Sequence, residues 1–198
     1  MNELSNGNLE FLFEPDFWMW GPCFEVIFFF ENKCPLSVFE DTLLADSIVS
    51  SFSAKIFSFK DESRRCVLRA ENWTTPLGFI YYQMDRGDHD DYFLSTYPRQ
   101  VEFHCGQLHW RDLENIQPVV NLHIGLIAFV RRLHTRLGFH HVVIHHEDAP
   151  WFKRGSLQSP GILIYDWVAE YSGLEIQQTV EPCYALVPFD KSTIAEAA

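Results

Sequence analysis

Positive charge is scarce in this chain. Its 198 residues carry Lys+Arg 15 against Asp+Glu 27, a formal net charge of −12. Gripping a phosphate backbone takes clustered Lys and Arg, so the balance speaks against general nucleic-acid binding. Long apolar runs are missing as well: no stretch reaches the ~18 uninterrupted apolar residues of a membrane-spanning helix. Met1 to Glu14 lacks the basic start and apolar run of a signal peptide, which reads as a cytoplasmic, membrane-free protein. Paired cysteines are absent too. Cys23, Cys34, Cys66, Cys105 and Cys183 are odd in number, widely spaced and without a C-x-x-C pair. That excludes a disulfide framework or a structural zinc site and predicts reduced thiols acting as small core residues. Neither glycine-rich phosphate-binding pattern occurs, and Gly155-Ser156 does not extend to a nucleophile elbow. These absences assign no catalytic residue and no cofactor.

What the chain does have is an ordinary globular mixture, 47% apolar and 21% charged, which predicts one domain over 1–198 with a flexible tail from about 190 to 198. Aromatics are abundant at 16%, 18 of them Phe. Leu9–Phe13 and the apolar run Phe24–Phe30 read as strands, the second buried on both faces, with an aromatic loop from Pro15 to Pro22 between them. From Pro35 the period lengthens, and Leu36, Phe39, Leu43, Val49 and Phe52 mark one stripe of an amphipathic helix. Strand candidates follow at Lys55–Phe59, Cys66–Ala70, Phe79–Gln83, Tyr92–Thr96 and Val101–Cys105, and their short turn-like separators favour antiparallel neighbours. A long helix runs from Pro118 to about Leu137 and closes on Gly138; its core stripe includes Val119, Leu122, Leu126, Val130 and Leu133, with Asn121, Arg132 and Thr135 opposite. Phe139–His146 reads as a strand, Gly161–Ser172 as a third helix ended by Gly173, and Cys183–Val187 as a last strand. The fold class is α+β: a mostly antiparallel, aromatic-rich sheet packed against two or three helices.

Two clusters invite chemistry. Histidines at 104, 109, 140, 141, 145 and 146, with Glu147 or Asp148 nearby, could converge on zinc or iron. Alternation along a strand, however, points His141 and His145 one way and His140 and His146 the other. His123 lies on the apolar stripe of the long helix and reads as a core residue with one hydrogen bond, while His134 reads as solvated. Pro15-Asp16 followed by Glu31-Asn32-Lys33 imitates the spacing of metal-dependent nucleases, but Asp16 leads into the aromatic loop instead of ending a strand. The second cluster is Asp85-Arg86-Gly87-Asp88-His89-Asp90-Asp91, four carboxylates in seven residues at a predicted hairpin tip. It does not follow the order of a calcium loop. On an acidic protein it can serve as a landing patch for a basic partner.

The expectation is therefore an acidic protein-binding domain. In general character (acidic, intracellular, about this size, without enzyme motifs) the chain resembles bacterial immunity proteins, which block a cognate toxin. That resemblance implies a basic toxin or enzyme as partner. Asp85, Asp88, Asp90, Asp91 and Tyr92 are the candidate contact residues, with aromatics such as Tyr92 as anchors. The alternative is a metal-dependent hydrolase in which the histidines hold the metal and a carboxylate acts as general base.

Overall fold

A computed structural model describes residues 24–47, 49–53, 64–70, 73, 76–96, 116–146, 157, 159–180 and 183–190. The strands expected at Leu9–Phe13, Lys55–Phe59 and Val101–Cys105, the aromatic loop, and residues 191–198 lie outside that set. So do Cys23, Cys105, His104, His109, Glu147 and Asp148.

The run Phe24–Phe29 forms strand β1, and the helix begun at Pro35 is α1, Leu36–Leu44. Strands β2 (Val49–Ser53), β3 (Arg64–Leu68), β4 (Leu77–Asp85) and β5 (Asp90–Thr96) follow. The long helix α2 spans Ile116–Leu137, and β6 is His141–His146. The chain continues through β7 (Gly161–Tyr165), helix α3 (Asp166–Tyr171), β8 (Gln178–Val180) and β9 (Tyr184–Val187). All nine strands join one open sheet in the order β2-β3-β4-β5-β1-β6-β7-β9-β8. Among the described strands only β6 and β7 pair in parallel; every other neighbour is antiparallel. The architecture is thus the α+β class expected from the sequence. No helix among the described residues is long and apolar enough to cross a membrane.

Two helical expectations need correction. The stripe drawn through Val49 and Phe52 breaks at Ala45, and Val49–Ser53 pairs with β3 instead. Serines at 50, 51 and 53 favour helix weakly, pairing with β3 gives one side of the segment a hydrogen-bonded partner, and apolar spacings of three fit either structure over so short a run. Gly161–Ser172 is also not one helix. Ile162, Leu163 and Ile164 are wholly buried between β6 and β9, and the helix begins only at Asp166. Gly173 does end it, at φ 64°: Leu174 N donates to Ala169 O at 3.0 Å and Gly173 N to Glu170 O at 3.2 Å, a Schellman closure. Gly138 plays the same part after α2.

The helices cover one face of the sheet. Phe24, Val26 and Phe28 of β1, with Tyr81, Tyr92, Leu94, Val142 and Ile144 from its neighbours, pack against Phe39, Leu43, Leu122, Leu126 and Phe129. On the opposite face Ile27, Phe29, Phe93, Val143, Leu163 and Leu186 form a second buried cluster. The expected polar side of α2 is used for docking: Arg132 grips Asp46 through two hydrogen bonds of 2.8 and 2.9 Å, fastening α2 to the end of α1. His134, expected to be solvated, instead stacks on Phe189 with ring centroids 3.8 Å apart. Cys34 and Cys66 are buried free thiols, and burial pushes them up to about 11 and about 12.

At Gly125 the Trp73 indole packs closely against α2. A Cβ there would overlap the Trp73 indole and stand 2.9 Å from its Cε2, and that indole is itself buried and donates to Asn121 O at 3.2 Å. Gly125→Ala should therefore cost about 1–3 kcal/mol despite alanine's better helix propensity, measured as a lower urea midpoint.

His123 is fully buried, as expected. Its Nδ1–H donates to Val119 O at 2.8 Å, Nε2 finds no partner, and Phe24, Tyr165 and Trp167 surround the ring. Desolvation lowers its pKa from 6.5 to about 4, against a smaller opposing effect of the Val119 hydrogen bond. The unfolded chain therefore takes up this proton first. Stability from this residue is complete above pH 6.5 and is lost as the pH falls toward 4, by about 3 kcal/mol. Urea midpoints at pH 7, 5 and 4 should fall more steeply for the wild type than for His123→Leu.

Candidate functional site

The acidic cluster forms the tip between β4 and β5. Asp85 and Asp90 face each other as the last pair of the ladder, and Arg86–His89 makes the turn. Gly87 has φ 93°, a conformation that side chains resist, and its N–H donates to Asp85 Oδ1 at 2.7 Å. Arg86 N donates to His89 O at 3.0 Å, closing the turn.

The four carboxylates divide into two pairs. Asp90 and Asp91 are buried. Asp90 accepts Cys34 N at 2.9 Å and Lys33 Nζ at 3.2 Å, and Asp91 accepts Arg86 Nε at 3.0 Å. Asp85 and Asp88 are the outward pair, with side chains 72% and 87% exposed. Lys33 also bonds Asp85, so one ammonium ties the segment after β1 to both sides of the tip. These hydrogen bonds hold Asp85 below the ordinary carboxylate range, and His89, 2.5 Å away, does the same for Asp88. Tyr92 points inward. It is fully buried, stacks on Phe39 at 4.0 Å, and donates its hydroxyl to Cys34 O at 2.6 Å. Of the five candidate contact residues, then, Asp85 and Asp88 face solvent, while Asp90, Asp91 and Tyr92 stand behind them.

Alternation holds for His141 and His145 but not for His140, which precedes β6 and lines the same cavity as His141 instead of pointing to the opposite face. His141 and His145 share the face of β6 opposite the helices, but four residues of strand put them roughly 13 Å apart. His145 lies 3.7 Å from Glu25, which also accepts Ser95 Oγ at 2.9 Å. His140 and His141 lie at the other end, their rings 4.3 Å apart and nearly perpendicular. Beside the acidic tip they line a cavity of about 430 Å³ together with His89 and Glu31; among the described residues Phe29, Phe30 and Leu157 also line it. His89 Nδ1 bonds Asp88 and His141 Nε2 bonds Ser159 O at 2.9 Å, while His140 Nδ1 lies 3.2 Å from Glu31 Oε1. No three His, Cys, Asp or Glu side chains among the described residues are grouped to hold a metal ion.

Glu31 and Lys33, which share the nuclease-like spacing, go to different tasks, one to His140 and the other to Asp85 and Asp90. Sequence reasoning missed the cavity because its wall comes from four separate segments. The signal that could have found it is the ending of the Phe24–Phe30 run on Glu31, set against a second strand that opens on paired histidines.

No family model, no curated protein and no solved structure matches this chain. Its function must be argued from the site.

The split between the carboxylates can be tested directly. Asp90→Asn should lower stability by about 2 kcal/mol, because the buried oxygens hold Lys33 and Cys34 N. Asp88→Asn, on the exposed side, should leave the urea midpoint unchanged.

Proposed function

We propose that this chain is an acidic binding domain that docks on and neutralises a basic protein, in the manner of an immunity protein against a cognate toxin. One observation carries the reading: Asp85 and Asp88 stand exposed on a hairpin tip braced from behind by Lys33–Asp90, Arg86–Asp91 and the Asp90–Cys34 hydrogen bond. Charges fixed in place lose little conformational freedom when a partner arrives, and they select its orientation as well as speeding its approach. The net charge of −12 adds a long-range pull toward a basic surface. Cytoplasmic residence accords with the buried free thiols Cys34 and Cys66. The alternative of a metal-dependent hydrolase draws on the imidazoles beside the tip and calls for a metal ion held by them.

Purification of the tagged protein from its native cells should yield one basic protein at equal stoichiometry and no stoichiometric transition metal. Asp85→Asn/Asp88→Asn should slow association with that protein about tenfold at low salt, and the difference should shrink at 0.5 M salt. Stopped-flow fluorescence measures both. Equal association rates for the variant and the wild type would overturn the assignment of the tip.

A further inference from the structure

We propose that the cavity beside the tip is a specificity pocket that receives an arginine side chain of the partner. The partner's basic character is taken from the reading above; the pocket's preference rests on its own walls. The volume of about 430 Å³ falls in the range of small-ligand sites and holds a guanidinium with its stem.

The wall offers two kinds of contact. Phe29 and Phe30 are nearly fully buried and present an apolar floor, and His140 and His141 meet at 87°, so a planar group can lie along one ring while meeting the other edge-on. Guanidinium is planar and weakly hydrated and stacks on aromatic faces, whereas a compact ammonium keeps its hydration shell and gains less from such walls. At the rim stands Glu31, with its carboxylate 67% exposed. A carboxylate matches the two-pronged donor edge of guanidinium. His140 Nδ1 lies 3.2 Å from Glu31 Oε1, so an imidazole nitrogen and a carboxylate stand side by side at the rim as polar contacts.

The surrounding charge selects a cation. Among the described residues of the tip and of the segment after β1, Glu31, Asp85, Asp88, Asp90 and Asp91 are five carboxylates against two cations, Lys33 and Arg86. Both cations are already engaged, by Asp85 with Asp90 and by Asp91 respectively. Among the described residues the ion-pair neighbours of Glu31 and Asp88 are imidazoles, His140 and His89, and not Lys or Arg, which leaves negative charge beside the cavity. An anionic ligand would meet repulsion there.

The test is a titration of the full chain, with ¹³C,¹⁵N-labelled histidine, by N-acetyl-arginine methylamide, N-acetyl-lysine methylamide and zinc chloride in parallel. Arginine should give saturable shifts of the His140 and His141 ring signals with a Kd in the low millimolar range, the scale of one side chain, and should bind at least fivefold more tightly than lysine. Glu31→Gln should weaken the arginine response fivefold or more, and the remote surface change Glu170→Gln should not. Leu157→Trp, which fills the cavity from its wall, should abolish the response while leaving the tip's association-rate effect in place.

Lysine binding as tightly as arginine, the absence of saturable shifts, or unaltered binding by Glu31→Gln would each overturn the pocket. So would stoichiometric zinc on the three imidazoles, which would assign the cavity to a metal instead. The two readings fail separately. An arginine response without any partner would sink the binding-protein reading alone, and a partner slowed by the tip variants without an arginine response would sink the pocket alone.

Discussion

Strand β1 is the constraint from which the rest of the molecule hangs. It lies in the middle of the sheet, paired on one side with β5 and on the other with β6, and both of its faces are covered by apolar side chains. The six residues FEVIFF can occupy only such a place, since any edge or solvent-facing position would leave large aromatic area in water. Once β1 is fixed, the chain leaves it at Phe30 beside the β4–β5 tip and the start of β6. Lys33, Cys34 and Glu31 then fall within reach of Asp85, Asp90 and His140 without any long excursion. The site is a consequence of where a hydrophobic strand must stop.

The buried charge nearby follows the same logic. A carboxylate as enclosed as Asp90 is tolerable only with donors in place, and it has two, a backbone N–H and an ammonium. These contacts contribute little to cohesion beyond satisfying themselves, but they specify one geometry. The tip is held beside the cavity, with Asp88 bonded to His89 and Glu31 next to His140. Elsewhere the Arg132–Asp46 pair gives α1 and α2 the same kind of definition.

Much of the fold was legible because the strongest signals were periodic. The α2 stripe with Gly138 at its end, the apolar run of β1 and the β-branched centre of β6 each admit one reading. Legibility failed where a short apolar stretch fits two periods. Val49–Ser53 and Gly161–Tyr165 were read as helix, and in both cases pairing with a distant strand decided the matter. The three-residue β8 carries too little pattern to be seen at all. In the site, the acidic tip could be read as a tip, yet which carboxylates face outward could not. That depends on Lys33 and Arg86, whose side chains arrive from opposite sides of the hairpin. The cavity was out of reach because no local window contains more than a part of its wall.

The central position of β1 also governs how the chain reaches its fold. Its partners are far along the sequence: Phe24 stands opposite His146, about 120 residues away, and the nearer partner β5 is itself some 65 residues off. During synthesis the apolar run is made before either of its sheet partners, β5 and then β6. Over that interval FEVIFF is an unpaired, nearly uncharged strand, the kind of segment that pairs with copies of itself. The residue that interrupts it, Glu25, and the polar stretch Glu31-Asn32-Lys33 that follows it act as gatekeepers in the meantime. The same feature that makes the finished sheet secure thus rests on contacts of long sequence separation, the kind that form late in folding.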